Sequence, residues 1–330
     1  MSDATNASLR RMSLIGPQET PALTMLAGGV SSLIVRVDAA RGAFCFKQAL
    51  PKLNVAADWY APVERNDAEV AWLEVAGAVL PGITPKVLGA DPQAHAFAMS
   101  FLDTGVFPVW KRQLLEGHVD DETARATGAA LAAIHAACAG DDALARRFAN
   151  AEAFIELRLD PYLRETARVH RDLAPVLDAI VTTTDATRLT LVHGDVSPKN
   201  ILAGGPCGIV LLDAECANYG DPAFDLTFCL NHLLLKAAAR PVDAQRYHGA
   251  FHALLEAYRV GISWEPVRDL EARATPLLAG LFLARVDGKS PVEYLSESAR
   301  EHVRVFARRA LVQPFASLDA FAGAWYATGL

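Results

Sequence analysis

Residues 191–216 read LVHGDVSPKNILAGGPCGIVLLDAEC. Two apolar runs, Ile201-Leu202 and Ile209-Val210-Leu211-Leu212, flank the turn Gly204-Gly205-Pro206-Cys207-Gly208. That pattern predicts a short β-hairpin. The hairpin places Asp195 and Asn200 on the loop before its first strand and Asp213 at the end of its second. Singly, each residue has an ordinary use: an aspartate after glycine is a turn residue, and an asparagine before a strand is a cap. Jointly they carry chemistry. A carboxylate such as Asp195 can accept the proton of a hydroxyl. An amide oxygen and a second carboxylate, Asn200 and Asp213, are the hard oxygen ligands that Mg²⁺ prefers.

Upstream of this stretch the chain reads as strands. Thr24–Val37 is strand, tight loop, strand, and Ala43–Gln48 is another strand after the turn at Arg41-Gly42. The Gly28-Gly29 pair lets the backbone approach a ligand closely, and Gly29, Ser31 and Ser32 are candidates to hold phosphate oxygens. No Walker-type G-x-x-x-x-G-K-[ST] loop is present. Lys47 lies inside an apolar strand. It either snorkels at an edge or turns inward to phosphates, which requires a carboxylate partner. Residues 62–76 are helical in pattern, with Ala68, Trp72 and Val75 on one face. Glu69 in mid-helix is the preferred partner, and Glu64 and Glu74 compete with it. Residues 83–89 and 94–100 predict two more strands around an Asp91-Pro92 turn. The pattern then turns helical, which divides the chain into 1–100, with about the first 15 residues mobile, and 101–330.

With 330 residues, 52% hydrophobic and 21% charged, the chain is long enough for two lobes and is globular in composition. A net charge of −7 gives no electrostatic case for nucleic acid as partner. The five cysteines are scattered with no C-x-x-C pair, which fits buried free thiols in a reducing compartment. The start, MSDATNASLRRMS, lacks an apolar signal region, and no run is long enough to span a bilayer. A cytoplasmic protein with no membrane partner is the expectation.

The second part reads as helices at 121–138, 151–169 and 171–182, then the hairpin, then helices from 222 onward, at 241–259, 266–285 and 291–312, and a finishing helix. His135 is expected as a packed core residue. Asp225 either ties down the loop at Asp195 or supplies helix N-terminal charge. Asn231 and His232 interrupt an apolar helix, and polar side chains there need partners or a ligand. Asp225, Asn231, His232, Arg285, Asp287 and Lys289 are candidates to line a ligand pocket. Arg285 or Lys289 would suit an anionic ligand, whereas an acidic pocket would suit a cationic one.

The order Asp-x-x-x-x-Asn, then Asp beyond a hairpin, is that of the protein-kinase catalytic loop and metal site. With Lys47, Glu69, HGDVSPKNIL, LLDAE and YGDPAFDL in this order, roughly residues 20–310 resemble the aminoglycoside phosphotransferase and choline kinase superfamily. The segment FKQALPKLNVAADWYAPVERNDAEVAWL also resembles methylthioribose kinase. The resemblance implies an α+β, protein-kinase-like two-lobe fold with a small antiparallel-sheet N-lobe and a larger, mainly helical C-lobe. It implies an ATP- and Mg²⁺-dependent kinase acting on a hydroxyl of a small metabolite or antibiotic. By position, Lys47 holds phosphates and is set by Glu69, while Ser31, Ser32 and their loop cover them. The Ser100–Leu102 backbone meets adenine, with Met99 behind it. Asp195 is the base, and Asn200 and Asp213 ligate Mg²⁺, assisted by Glu215. Two departures from protein kinases stand out: Gly194 replaces the arginine of His-Arg-Asp, and Asp-Ala-Glu replaces Asp-Phe-Gly. A nucleotide-binding module without turnover is the alternative reading. A metal-dependent hydrolase would leave Lys47 and the Gly28-Gly29 loop unexplained.

Overall fold

The computed structural model describes residues 2–26, 31–52 and 60–329. Gly29, the Gly28-Gly29 turn and most of the loop before Tyr60 lie outside the described residues. Five antiparallel strands form one sheet: β1 Ala22–Met25, β2 Ser32–Ala39, β3 Gly42–Ala49, β4 Val87–Asp91 and β5 Ala96–Ser100, in the order β1-β2-β3-β5-β4. β3 is central, and its alternation gives each face a purpose. Phe44 and Phe46 join Val35, Val37, Ala96 and Ala98 on one face. On β5, Phe97 and Met99 belong instead to the opposite face, packed with Trp72 and Ala76 of helix α2, Arg65–Val79.

The first face is covered by a helix that the sequence reading left mobile. Residues 2–11 form α1, Ser2–Arg11, and Leu9, Leu14 and Ile15 complete that apolar cluster. Asp91 at the end of β4 pins the helix: Ser8 Oγ donates to it at 2.5 Å, and Arg11 does so through Nε at 3.0 Å and Nη2 at 2.6 Å. The polar look of MSDATNASLRRMS concealed this, because the helix brings only Leu9 to the cluster and Leu14 and Ile15 follow beyond it. Burial works against the Asp91 charge, but Arg11 and Ser8 hold its carboxyl below the ordinary aspartate range. A depressed carboxylate stabilises the fold above its unfolded pKa and loses that contribution as pH falls through the folded value. An Asp91→Asn protein is therefore expected to be less stable than wild type at pH 7. Denaturant melts should show the difference shrinking as pH falls from about 4 downward.

Helices dominate the remainder: α3 Trp110–Leu115, α4 Asp121–Cys138, α5 Asp142–Arg147, α6 Glu152–Phe154, a π-helix Ile155–Arg164, α7 Glu165–Val169, α8 Ala174–Ala186, α9 Pro222–Ala239, α10 Ala244–Gly261, α11 Val267–Asp287, α12 Glu297–Val312 and α13 Leu318–Tyr326. The run expected as one helix over 151–169 is thus widened in its middle. Pro161 lies inside the π-turns, where it cannot donate to the preceding turn. The last long helix begins at Glu297, with 291–296 outside it. Short strands β6 Thr190–Val192 and β9 Asn218–Gly220 pair, as do β7 Ile201–Ala203 and β8 Ile209–Leu211, which make the expected hairpin.

α9 is the axis of this part. Every residue from Pro222 to Ala238 is buried, with α10 and α11 packed on it. α4 and α10 cross very closely. A Cβ on Gly128 would stand 2.1 Å from the Leu254 carbonyl oxygen, so no other residue permits this approach. Among the described residues no helix is long and apolar enough to cross a membrane.

Candidate active site

The loop from His193 to Asn200 is held from behind by Asp225 on the first turn of α9. Its carboxylate accepts from His193 N at 2.7 Å and Gly194 N at 2.8 Å, with His135 Nε2 at 3.3 Å. Of the two roles considered for Asp225, the loop anchor is the one its contacts match. It is fully buried and spent on backbone amides, so its candidacy as a pocket-lining residue is corrected. His135 is buried against Tyr258, as expected of a core residue. His193 Nδ1 accepts from Asp195 N at 3.1 Å, and Nε2 donates to Leu212 O at 3.0 Å. Burial keeps this ring neutral, against the pull of Asp225 and Asp195. It therefore fastens the Asp195 loop to the strand end that carries Asp213.

Asn200 Nδ2 donates to Asp195 Oδ2 at 2.8 Å and to Asp195 O at 3.0 Å, leaving its amide oxygen uncommitted by those bonds. Leu212 N donates to Asn200 O at 2.9 Å, so Asn200 and Asp213 are neighbours across the hairpin. Asp213 has φ +66°, a left-handed conformation that aspartate tolerates better than most side chains.

Lys47 meets this assembly from the sheet. Its Nζ lies 2.8 and 2.7 Å from the two Glu69 oxygens and also contacts Asp213 Oδ1, 166 residues away in sequence. The competing Glu74 pairs with Arg147 at 3.0 Å instead. Burial opposes a charge on Lys47, but Asp213, Glu69 and Glu215 hold it protonated, above the ordinary lysine range. Asp213 is correspondingly held ionised. Burial alone would raise it, and Lys47 and Lys199 outweigh that.

Three cations complete the site, and none was singled out from sequence. Arg158, from the π-helix, ion-pairs with Asp195 at 2.6 Å and donates to Gly194 O at 2.8 Å. Lys199 lies 3.1 Å from Asp195. Arg65 pairs with Glu215 at 2.9 Å and donates to the carbonyls of Ser31, Leu50, Ala61 and Pro62. Four carboxylates, Glu69, Asp195, Asp213 and Glu215, thus face four cations in one cleft. Ser31 and Ser32 are buried where β2 begins. Met99 and Ser100 end β5, with Ser100 bonded to Lys86 through N–H at 2.9 Å and Oγ at 3.0 Å, and Leu102 follows.

The remaining pocket candidates separate. Lys289 lines an open cavity of about 430 Å³ with Tyr60, Glu156, Asp160 and Arg168. The acids there are largely matched, since Asp160 pairs with Arg164 and Glu165 with Arg168. Asn231, His232 and Arg285 lie deeper, around α9 and α11.

The profile of the phosphotransferase enzyme family matches residues 22–269. The chain belongs to this family. Solved structures of the same fold include macrolide 2'-phosphotransferase MphH from Brachybacterium faecium, 20% identical over 96% of this chain and 99% of that one, with a TM-score of 0.50. Choline kinase LicA from Streptococcus pneumoniae is 13% identical over 99% and 98%, with a TM-score of 0.51. The streptomycin–ATP–APH(2")-IIa ternary complex is 13% identical over 96% and 97%, with a TM-score of 0.50. No curated protein sequence matches significantly.

In this phosphotransferase the sequence left signals for some of the missed cations and none for others. Lys199 stands four residues after Asp195 in the quoted loop. Arg65 opens the helix that carries Glu69. Arg158 lies 36 residues before Gly194, in a segment with no motif, and only the π-turns bring it to the loop.

Proposed function

We propose that this phosphotransferase moves the γ-phosphate of ATP, with Mg²⁺, to a hydroxyl of a small molecule. The observation that carries the reading is the meeting of Lys47 with Glu69 and Asp213 beside the Asp195–Asn200 loop. Residues 1–100 would hold the nucleotide and 101–330 the acceptor. Lys47, fixed by Glu69, would bind phosphate oxygens. Ser31, Ser32 and the segment with Gly29 would cover them, and Ser100 and Leu102 would meet the base, backed by Met99.

The donor set fits a phosphate-borne Mg²⁺. Among the described residues no three His, Cys, Asp or Glu side chains could hold a metal alone. Mg²⁺ commonly takes one or two protein oxygens and fills its octahedron with phosphates and water, and Asn200 and Asp213 supply such oxygens. Glu215 would serve that loop through Arg65, which its carboxylate engages. When bound, Mg²⁺ neutralises charge on the β- and γ-phosphates. Asp195 would accept the hydroxyl proton, oriented by Asn200 and Arg158. Lys199 stands beside Asp195 to meet incoming phosphoryl charge. Most of the rate enhancement would come from positioning and electrostatics.

The test is ADP release from Mg²⁺–ATP over a panel of hydroxylated acceptors that includes methylthioribose, choline and aminoglycosides. Acceptor-dependent release, abolished by chelation of Mg²⁺, is the expected result. Failure to bind Mg²⁺–ATP at millimolar concentration would overturn the proposal. Binding with no transfer to any acceptor would favour a nucleotide-binding module.

A further inference from the structure

α9 is enclosed on all sides, yet it carries Asn231, His232 and Lys236. A helix buried all round is normally apolar all round. Lys236 is 1% exposed, and among the described residues its Nζ has no hydrogen-bond partner. Both side-chain atoms of Asn231, Nδ1 of His232, Nε of Arg285 and the hydroxyl of Tyr294 are likewise buried without partners. Native interiors hold few such atoms, and each costs free energy. Those of Lys236, His232, Arg285 and Tyr294 lie together. Lys236 Nζ is 5.1 Å from the Tyr294 ring centre, and Lys111 Nζ is 5.9 Å from it. His232 packs on Phe228 and Phe228 on Tyr162, whose hydroxyl accepts from Arg285 at 3.2 Å.

Through Phe228 and Arg158 the cluster approaches the loop at Asp195. Arg158, the partner of Asp195, stands 5.8 Å from the Phe228 ring centre. The charge balance is lopsided. Lys236, Arg285 and Lys111 stand around one carboxylate, Glu293, among the described residues, and Lys111 already engages it at 2.5 Å. Waters could satisfy an amide or a hydroxyl, but they leave this excess of positive charge in place. Burial, with Lys111 and Arg285, brings the Lys236 ammonium down to about 7. A bound anion would give the enclosed amine both a hydrogen-bond partner and a reason to carry its proton.

We infer that Lys236, with Arg285, His232 and Tyr294, forms the recognition site for an oxyanion, a carboxylate or phosphoryl group, carried by the acceptor whose hydroxyl is presented to Asp195. The inference rests on the phosphotransfer reading and narrows its acceptor to an anionic, hydroxylated small molecule. Of the three acids lining the nearby open cavity, Asp160 and Glu165 are paired with Arg164 and Arg168, and Arg168 and Lys289 line it as well.

The test uses the full chain and calorimetric titration. Mg²⁺–ADP is titrated first, and failure to bind it counts against the phosphotransfer reading alone. Inorganic phosphate, D-glycerate, choline and kanamycin are then titrated at constant ionic strength, with Mg²⁺–ADP saturating. Phosphate or glycerate should bind, and the two cations should not. Lys236→Met should weaken that binding by about tenfold or more while leaving Mg²⁺–ADP affinity unchanged. The same variant, freed of an unpaired buried charge, should melt at a higher temperature than wild type without ligand. No anion binding, anion binding indifferent to Lys236→Met (as at a vacant phosphate position beside ADP), or tighter binding of choline or kanamycin would each overturn the site.

Discussion

Replacing Asp195 with asparagine is expected to lower kcat for phosphoryl transfer by about 10²–10⁴, the range for loss of a positioned general base. The Mg²⁺–ATP affinity should change little if, as proposed, Lys47 and the sheet hold the nucleotide. The substitution also has a structural cost that a catalytic role alone does not foresee. Arg158 is buried, with only 8% of its side chain exposed, and Asp195 is its ion-pair partner at 2.6 Å. Burial opposes the Arg158 charge, and the Asp195 carboxylate is the largest effect sustaining it. Breaking one side of a buried pair leaves the other uncompensated, at about 3–5 kcal/mol. Asp195→Asn should therefore be less stable as well as slow. Adding Arg158→Met should recover part of the stability and none of the activity. That pattern in a double-mutant cycle separates the two roles. An Asp195→Asn enzyme that transfers phosphate at the wild-type rate would remove Asp195 from the mechanism.

Gly194→Arg, which would write the protein-kinase triplet His-Arg-Asp into this loop, is expected to damage the protein. Gly194 has φ +78°, and a Cβ there would stand 2.5 Å from the Cys216 carbonyl oxygen. The left-handed backbone alone costs a non-glycine residue about 1–2 kcal/mol. The clash with backbone adds to this, because neither the carbonyl nor the loop held by Asp225 can retreat. Even Gly194→Ala should lower the denaturation midpoint measurably and depress activity with it. A Gly194→Ala protein as stable and active as wild type would show that the loop relaxes freely. The departure from the kinase triplet has a physical explanation: the guanidinium beside Asp195 arrives from Arg158, and the space next to Gly194 belongs to the Cys216 carbonyl.

How much of this could be read from sequence follows the range of the interactions. The hairpin, the helix at Asp121–Cys138 and the Lys47 strand are local patterns of period and turn, and they are found where the sequence places them. Glu69 was legible because a buried lysine demands a carboxylate and the next helix offered few. α1 was missed because its apolar face is narrow, and its anchor, Asp91, lies 80 residues from Arg11. The asparagine and histidine of α9 were visible as anomalies. Lys236 was not, because one lysine near the end of an apolar helix looks like a surface residue until α11 and Tyr294 enclose it. Arg158 depends on π-turns, for which sequence period gives no signal.

The two halves of the cleft are wired differently. Arg65 gathers the carbonyls of Ser31, Leu50, Ala61 and Pro62 and the Glu215 carboxylate onto one guanidinium. The groups around Lys236 share no hydrogen-bond partner with it among the described residues. Loss of Arg65 would thus release five partners at once, whereas the polar groups enclosed by α9 and α11 are not tied to that guanidinium. Such separation lets an ancestral scaffold trade one acceptor for another by a few substitutions around α9 and α11, with the phosphoryl-transfer apparatus left whole.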